Sequence, residues 1–270
     1  MTKYFFLDVD GTLLPFGKSV PDSAVYAIKA AQALGSLFFI ASGRSLAELP
    51  RFERIEFDGL VCSAGATVVV EGKKIADDYL PQNEFKMLNE YLASHGLYTL
   101  IQAEEGTYMS AKATEIFKEY LIKYVGRLVD LNGLIVSESL PENVRVKKLL
   151  FISEESGWGV ENVRRDISSS FSVVNNTVGL PENLMAEIVR SDISKATGIE
   201  KILSYYGADK KDAVAIGDGS NDIEMVEYAG LGIAMGNASA DLKSRADWIT
   251  GDVEQDGLKE AIMYALRSWL

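Results

Sequence analysis

The chain has 270 residues, which is enough to bury a sizeable core in one large domain or two smaller ones. Hydrophobic residues make up 47% of it and charged residues 24%, as in ordinary globular enzymes. The formal net charge of −12 argues against nonspecific binding to nucleic acids or acidic membranes, which requires clustered lysine and arginine. Small anionic substrates are still compatible with it, because a local field can oppose the net charge.

The compartment is predicted from the cysteine content and the N-terminal sequence. Cys62 is the single cysteine, so an intrachain disulfide is impossible and a reducing compartment is favoured. The first residues lack the basic and apolar pattern of a secretion signal, and no apolar run is long enough to span a bilayer. We therefore expect a soluble, cytoplasmic protein.

The first eighty residues alternate between apolar strand patterns and helical patterns. The predicted elements are, in order, a strand at 4–9, a helix from Pro21 to near Gly35, a strand at 36–41, a short helix carrying Leu46, Leu49 and Phe52, a strand at 59–65 and a hairpin that turns at Glu71-Gly72. Such alternation predicts a parallel sheet with crossover helices.

The middle of the chain has a different composition, with more charge and more amphipathic segments. The first pattern then returns, with a helix that ends at Gly207, a strand at 212–218, a further helix and strand, and a terminal helix at 255–270. The predicted fold class is α/β: a Rossmann-like parallel-sheet core, residues 1–80 and 186–270, interrupted by an α+β insertion at residues 81–185.

Acidic residues follow two of the predicted parallel strands. Asp8 and Asp10 leave the first strand on the same side, and Asp218 ends the strand at 212–218, with Asp222 four residues later. Ligands of open α/β sheets bind beyond the carboxyl ends of the strands, where these carboxylates would converge and repel one another. A hard cation bound by oxygen ligands resolves that repulsion, and Mg²⁺ fits best. An Asp pair after a strand is otherwise an ordinary turn.

Two further features favour a phosphate at the same edge of the sheet. Ser42 and Gly43 follow an apolar strand and precede a helical pattern, where free backbone N–H groups attract an anion. Lys195 begins the helix that leads to the strand at 212–218, and it supplies a cation. The alternative for Ser42 is a simple helix cap.

These features occur in the order of four motifs that resemble the haloacid dehalogenase (HAD) superfamily and, within it, the Cof-type phosphatases. The motifs are "DVDGT" at 8–12, "ASGR" at 41–44, the helix with Lys195 and "GDGSND" at 217–222. The resemblance covers the whole chain, because the insertion is similar to the C2-type cap of that family, which sets substrate specificity.

The resemblance implies the roles of the acidic residues. Asp8 would be the nucleophile that forms an aspartyl phosphate, and Asp10 would be the general acid and base. Mg²⁺ would be held by Asp8, by the backbone carbonyl of Asp10 and by Asp218. Asp222 is interpreted as a residue that orients the others rather than as a direct ligand.

The phosphoryl oxygens would be held by Ser42, Gly43, Lys195 and Asn221, again by resemblance. The chain departs from the family at Ala64-Gly65, where many relatives have Asn-Gly, so an asparagine contact to substrate or cap is missing.

Several candidate residues have structural interpretations. Arg44 fits an ion pair as well as a functional role, His95 is interpreted as a surface or helix-end residue, and Cys62 as inert packing. The glycosylation pattern at Asn237-Ala238-Ser239 is interpreted as chance.

Three functions remain open from the sequence. A Mg²⁺-dependent phosphatase of small phosphate esters, such as sugar phosphates, is favoured, with a small molecule as its partner and with neither nucleic acid nor membrane. A phosphomutase of the phosphomannomutase type is the first alternative, and a non-catalytic sugar-phosphate sensor is the second. The complete catalytic set argues against the sensor.

Overall fold

A computed structural model describes residues 2–15, 17–128, 133–155, 157–167, 169–176 and 178–268. The chain forms two compact units. The first unit comprises the residues up to Gly43, Arg51–Asp77 and the residues from Ser194 onward. The second unit comprises Arg44–Pro50 and Asp78–Ile193.

Strands and helices alternate through most of the described chain. The strands are β1 (Tyr4–Leu7), β2 (Leu37–Ala41), β3 (Gly59–Cys62), β4 (Thr67–Val70), β5 (Lys73–Asp77), β6 (Tyr98–Ala103), β7 (Thr107–Met109), β8 (Leu134–Val136), β9 (Val146–Ile152), β10 (Phe171–Asn175), β11 (Met185–Arg190), β12 (Ala213–Gly217), β13 (Leu231–Ala234) and β14 (Trp248–Ile249). The α-helices are α1 (Asp22–Ala33), α2 (Gln82–Ser94), α3 (Ala111–Tyr120), α4 (Val160–Asp166), α5 (Lys195–Tyr206), α6 (Ile223–Tyr228), α7 (Ala240–Arg245) and α8 (Gly257–Arg267).

The first unit is built on a sheet with the strand order β14-β13-β12-β1-β2-β3-β4-β5. The strands from β14 to β3 are parallel, and β4 and β5 add an antiparallel hairpin at one edge. The central strands are continuous apolar runs because both faces of the sheet are covered. Ile28 of α1, Ile199 of α5 and Ile262 of α8 are completely buried in the same core as β1.

The second unit is built on a sheet with the strand order β10-β11-β9-β6-β7-β8. All its pairings are antiparallel except that of β7 with β8. Alternate residues of β9 pack in two different apolar clusters: Leu149 and Phe151 pack with α2 and α4, while Leu150 and Ile152 pack with α3. This sheet is therefore covered on both faces, which explains why every residue of β9 is buried.

Most of the predicted elements are confirmed, including the hairpin that turns at Glu71-Gly72. The predicted strand at 59–65 ends at Cys62, where the backbone of the next residues turns left-handed. The predicted boundary at residue 185 falls on the first residue of β11, a strand of the second sheet. The terminal helix spans Gly257–Arg267, and the last two residues of its prediction lie outside the described residues.

The predicted short helix after Gly43 is wrong. Turns replace it, and the segment Arg44–Pro50 belongs to the second unit. The N–H of Ser45 donates to the carboxylate of Glu48 instead of entering a helical ladder, at 2.7 Å. Pro50 also disfavours helical backbone at the residue before it. The apolar spacing of Leu46 and Leu49 was therefore misleading.

Among the described residues, every helix is too short or too polar to cross a lipid bilayer.

Candidate active site

The predicted site residues of the first unit lie at the carboxyl ends of three adjacent parallel strands. Asp8 follows β1, Ser42 follows β2 and Asp218 follows β12. Leu7 is level with Ile40 and Ile216, and the N–H of Asp8 donates to Ile216 at 3.0 Å. Parallel register therefore brings side chains that are far apart in the sequence to one edge of the sheet.

Lys195 is the centre of a buried ion-pair network. It is the first residue of α5, and the side chain of Ser194 caps this helix by accepting from the N–H of Thr197. The Nζ atom donates to Asp8 Oδ1 at 2.6 Å and to Asp222 Oδ1 at 2.5 Å. The side chains of Lys195 and Asp222 are fully buried, so solvent screens these pairs very little.

Asp222 holds the loop that follows β12. Its Oδ2 atom accepts from the N–H groups of Asp218 at 3.0 Å and Gly219 at 2.9 Å, while Oδ1 accepts from Lys195. A Cβ atom on Gly217 would lie 2.5 Å from Asp222 Cγ, so a side chain is excluded there. Both carboxylate oxygens of Asp222 thus accept from protein donors, and its orienting role stays a prediction.

The carboxylate of Asp218 is held by residues that the sequence analysis missed. Thr12 Oγ1 donates to Asp218 Oδ1 at 2.9 Å, and Asn237 Nδ2 lies 3.3 Å from Asp218 Oδ2. Asn237 Nδ2 also donates to the carbonyl of Gly11 at 2.8 Å. The sequence pattern Asn237-Ala238-Ser239 indicates only a chance glycosylation match, and no local signal joins Asn237 to residues near the N-terminus.

Gly11 allows the two strand ends to approach each other. Its φ of +87° lies in the region that favours glycine. A Cβ atom at this position would lie 2.2 Å from Asp218 Oδ2. The "GT" part of the first motif is thus explained by close packing against the strand end that carries Asp218.

Burial and mutual repulsion change the acidity of the cluster. Burial and then the charge of Asp222 raise the pKa of Asp8 well above its usual range, and the same two causes raise the pKa of Asp218 to about 7. Burial favours the neutral form of Lys195, but the charges of Asp222 and Asp8 outweigh it and raise the pKa of the amine. Lys195 is therefore a cation that offsets part of the repulsion.

The donor set fits a hard divalent cation. Carboxylate oxygens of Asp8, Asp218 and Asp222 all lie within 4.8 Å of one another. Lys195 supplies one positive charge to this cluster, which leaves a negative excess in a largely buried place. Oxygen ligands with such an excess are the kind that Mg²⁺ takes.

Ser42 is fixed at the end of β2 by its backbone. Its N–H donates to the carbonyl of Val61 at 2.8 Å, and its carbonyl accepts from the N–H of Ala64 at 3.0 Å. Ala64 has a φ of +55°, a left-handed conformation that asparagine or glycine adopts more readily than alanine. Gly65 has a φ of +111°, and a Cβ atom there would lie 2.0 Å from the carbonyl oxygen of Ser194. The Ala64-Gly65 turn at the end of β3 thus packs closely against the backbone of Ser194, just before α5.

The other predicted residues lie in different places. Asp10 is partly exposed, and its charge contributes to the raised pKa values of Asp8 and Asp218. Asn221 lies in the single turn Ser220–Asp222 that precedes α6. Arg44 belongs to the second unit, where its Nη1 donates to the carbonyl of Glu48 at 3.0 Å.

His95 and Cys62 lie away from the acidic cluster. His95 ends α2 in the second unit and stacks on Trp158, with ring centroids 4.6 Å apart. Cys62 is buried at the end of β3. These positions agree with their interpretation as structural residues.

Asn237→Ala is expected to weaken binding of the metal that this site is predicted to hold. The change removes the amide that lies against the carboxylate of Asp218 and that also accepts from the N–H of Val253 at 2.9 Å. Partners of metal-binding carboxylates typically contribute about 10- to 100-fold to affinity. We therefore expect the Mg²⁺ concentration for half-maximal activity to rise by about that factor, as measured by a Mg²⁺ titration of initial rates.

Ser239→Ala is the control for this titration. The Ser239 side chain caps α7 by accepting from Leu242, so its loss should cost about 1 kcal/mol of stability and leave the Mg²⁺ requirement unchanged. Equal Mg²⁺ requirements for Asn237→Ala and the parent would contradict the role assigned to Asn237.

The fold and the site together define an α/β protein with a buried lysine–carboxylate cluster at the carboxyl edge of a parallel sheet. The chain belongs to the haloacid dehalogenase-like hydrolase family, whose profile matches residues 5–262. The predicted family and fold class are thus confirmed.

Similar proteins extend over nearly the whole chain. A putative phosphatase of Bacillus subtilis, YkrA, is 30% identical over 262 residues, which are 97% of this chain and 96% of the relative. Two solved structures have comparable similarity. BT1666 from Bacteroides thetaiotaomicron, described among phosphatases of the HAD superfamily, has a TM-score of 0.81 and 29% identity, covering 98% of this chain and 95% of its own. BT4131, described as a HAD subclass IIB sugar phosphatase, has a TM-score of 0.79 and 26% identity, covering 97% and 98%.

Proposed function

We propose that the protein is a Mg²⁺-dependent phosphatase that hydrolyses small phosphate esters, such as sugar phosphates, through an aspartyl phosphate on Asp8. The observation that carries the proposal is the buried contact of Lys195 with Asp8 at 2.6 Å, beside the carboxylate of Asp218. The phosphatase names of the relatives and the sugar-phosphatase title of one structural neighbour support it. The single cysteine is consistent with a cytoplasmic location, which we also propose.

Asp8 and Asp218 are the side chains that would hold the metal, together with the backbone carbonyl of Asp10. Bound there, Mg²⁺ would neutralise negative charge on the phosphoryl group and on the carboxylates. Burial and the charge of Asp222 raise the pKa of Asp218 to about 7. A metal ion would therefore compete with protons for the Asp218 carboxylate near neutral pH.

Asp8 is proposed as the nucleophile. Its carboxylate follows β1 at the rim of the sheet, and Lys195 holds one of its oxygens. A bond forms between a carboxylate oxygen and phosphorus while the bond from phosphorus to the ester oxygen breaks. Splitting the hydrolysis in this way replaces one difficult step with two easier ones. The cationic Lys195 reduces the repulsion between the carboxylate and the anionic phosphate.

Asp10 is proposed as the general acid and base, and the remaining polar groups as the phosphate cradle. Asp10 would give a proton to the departing alkoxide and then take one from the water that attacks the aspartyl phosphate. Ser42, the N–H of Gly43 and Asn221 would hold the phosphoryl oxygens. We further propose that the second unit is the cap that selects the substrate. Its residues, Arg44–Pro50 and Asp78–Ile193, include the range 81–185 predicted for the cap.

The activity can be tested with a panel of phosphate metabolites and p-nitrophenyl phosphate, assayed with Mg²⁺ and with excess chelator. We expect phosphate release that chelation abolishes and Mg²⁺ restores. Formation of an isomeric phosphate without phosphate release would indicate the phosphomutase. Tight binding without turnover would indicate the sensor.

The same assay with Asp10→Ala tests the mechanism. The variant loses proton transfer, which typically contributes about 10²- to 10⁴-fold. Because p-nitrophenolate leaves without an acid, we expect a burst of nitrophenol, a slow steady state and a covalent phosphate on Asp8. A sugar phosphate has a poor leaving group, so it should give no burst. Rapid-quench kinetics measures the burst with each substrate, and intact mass spectrometry detects the covalent phosphate. Equal slowing of the two substrates, with no covalent phosphate, would refute the role of Asp10.

A further inference from the structure

The chain leaves the first unit immediately after the predicted phosphate-binding residues. Ser42 and Gly43 belong to the first unit, whereas Arg44–Pro50 belongs to the second, and the chain returns to the first unit at Arg51. Arg44–Pro50 is thus a short piece of the second unit that is covalently joined to the loop proposed to hold the phosphoryl group.

The carboxylate of Glu48 fastens this segment to the sheet of the second unit. Its Oε1 atom accepts from Thr107 Oγ1 at 2.5 Å, and its Oε2 atom accepts from Gln102 Nε2 at 2.8 Å. The same Oε2 accepts from the N–H of Ser45 at 2.7 Å. Gln102 and Thr107 are a cross-strand pair of β6 and β7, and both are buried. The Glu48 carboxylate therefore links β6 and β7 to the backbone N–H of Ser45, two residues after Gly43.

The backbone of the second unit is shaped to admit this side chain. Gly133 has a φ of +77°, and a Cβ atom there would lie 2.8 Å from Glu48 Cγ. The carbonyl of Gly133 accepts from the N–H of Thr107 at 2.8 Å, so the glycine is held against the same strand that contacts Glu48. The Glu48 side chain thus occupies a place that a larger residue at position 133 would obstruct.

The backbone of Glu48 makes further hydrogen bonds within the segment Arg44–Pro50. Its carbonyl accepts from Arg44 Nη1 at 3.0 Å. Glu48 N–H also donates to the carbonyl of Ser45 at 3.1 Å, which closes the turn. Hydrogen bonds of the Glu48 side chain and backbone to Arg44 and Ser45 therefore fix the conformation of residues 44–48.

We propose that Glu48 is a positioning residue for the phosphatase reaction. Its carboxylate accepts hydrogen bonds from Ser45, Gln102 and Thr107 and so fixes the segment that follows Ser42 and Gly43. Fixing this segment holds the Ser42–Gly43 loop in the conformation that binds phosphate. The inference rests on the proposed function. Small displacements of groups that hold a reacting phosphate are costly, because the reacting atoms must stay aligned.

Three variants separate positioning from simple stabilisation. Glu48→Ala removes all three hydrogen bonds. Glu48→Gln keeps them, because the amide oxygen can accept from Ser45 and Gln102 while the amide nitrogen donates to the Thr107 hydroxyl. Glu105→Ala is the matched control, since Glu105 is a carboxylate of the same β6–β7 hairpin and accepts from Tyr108 at 2.7 Å.

The measurements are kcat/KM, inhibition by inorganic phosphate, and amide hydrogen exchange. For Glu48→Ala we expect kcat/KM to fall about tenfold or more, the inhibition constant of phosphate to rise by a similar factor, and exchange to accelerate in peptides covering residues 42–50. Peptides from α2 and β9 should keep their exchange rates. Glu48→Gln should stay within about threefold of the parent, and Glu105→Ala should match it.

Two results would overturn the proposal. One is faster exchange at residues 42–50 in Glu48→Ala with unchanged phosphate inhibition and kcat/KM, because phosphate binding and catalysis would then not depend on the conformation that Glu48 fixes. The other is faster exchange throughout the second unit, with no rescue by Glu48→Gln, which indicates a structural role alone. Failure of the proposed function is recognised separately, because the parent protein itself would then hydrolyse none of the phosphate esters.

Discussion

Asp8→Asn will abolish phosphate release from every ester that the parent protein hydrolyses. An amide cannot form the acyl phosphate, so no covalent intermediate should be found by intact mass spectrometry. We expect kcat to fall to the background of the assay. Detectable turnover with a covalent phosphate at any other residue would show that Asp8 is not the nucleophile.

The same variant should be more stable than the parent in the absence of metal. Burial and the charge of Asp222 raise the pKa of Asp8 in the folded state, so ionised Asp8 makes the fold less stable as the pH rises above the unfolded value of about 3.9. Asparagine carries no charge, and the gain in melting temperature over the parent should therefore be small near pH 4 and larger near pH 8. Thermal denaturation in chelator at the two pH values measures this difference.

Asp58→Asn is the control for Asp8→Asn. Asp58 is also a partly buried carboxylate with a raised pKa, caused mainly by burial, and it accepts from the N–H of Phe38 at 2.7 Å. It lies just before β3, away from the carboxyl edge of the sheet. We expect its substitution to leave both phosphate release and the stabilisation by Mg²⁺ unchanged.

Lys195→Met will have the largest expected effect on stability. The side chain is fully buried, and its removal leaves the carboxylates of Asp8 and Asp222 without the cation that lies 2.6 Å and 2.5 Å from them. Breaking a buried ion pair on one side typically costs about 3–5 kcal/mol of unfolding free energy. Urea denaturation at pH 7 measures this loss, and the catalytic activity should be lost as well.

The pH dependence and a control variant test the cause of that loss. The charges of Asp222 and Asp8 raise the pKa of Lys195, so its contribution is complete at neutral pH and would fade only at strongly alkaline pH. Without Lys195, Asp8, whose pKa burial raises, becomes neutral by protonation at low pH, so the difference from the parent should shrink toward pH 4. Lys3→Met breaks the less buried pair with Asp212, 3.0 Å apart, and should cost less. Equal losses for the two lysines would contradict this account.

The sequence located the strands of the first sheet because they are short, continuous apolar runs that differ from everything around them. It also located Asp8 and Asp218, since a charged residue directly after such a run must lie at the end of a strand. The hairpin at Glu71-Gly72 was readable as the apolar run Thr67–Val70 followed by turn residues and a second short strand pattern. These features depend on residues that are close together in the chain.

Tertiary structure decided what the polar side chains contact. Asn237 meets Gly11 across 226 positions of sequence, and Glu48 meets Gln102 across 54, so local patterns held no sign of either contact. Leu46 and Leu49 have helical spacing, yet Glu48 takes the N–H of Ser45 and the segment forms turns. Continuous apolar runs indicate the buried strands, whereas the partner of a buried carboxylate depends on which strands and loops the fold brings beside it.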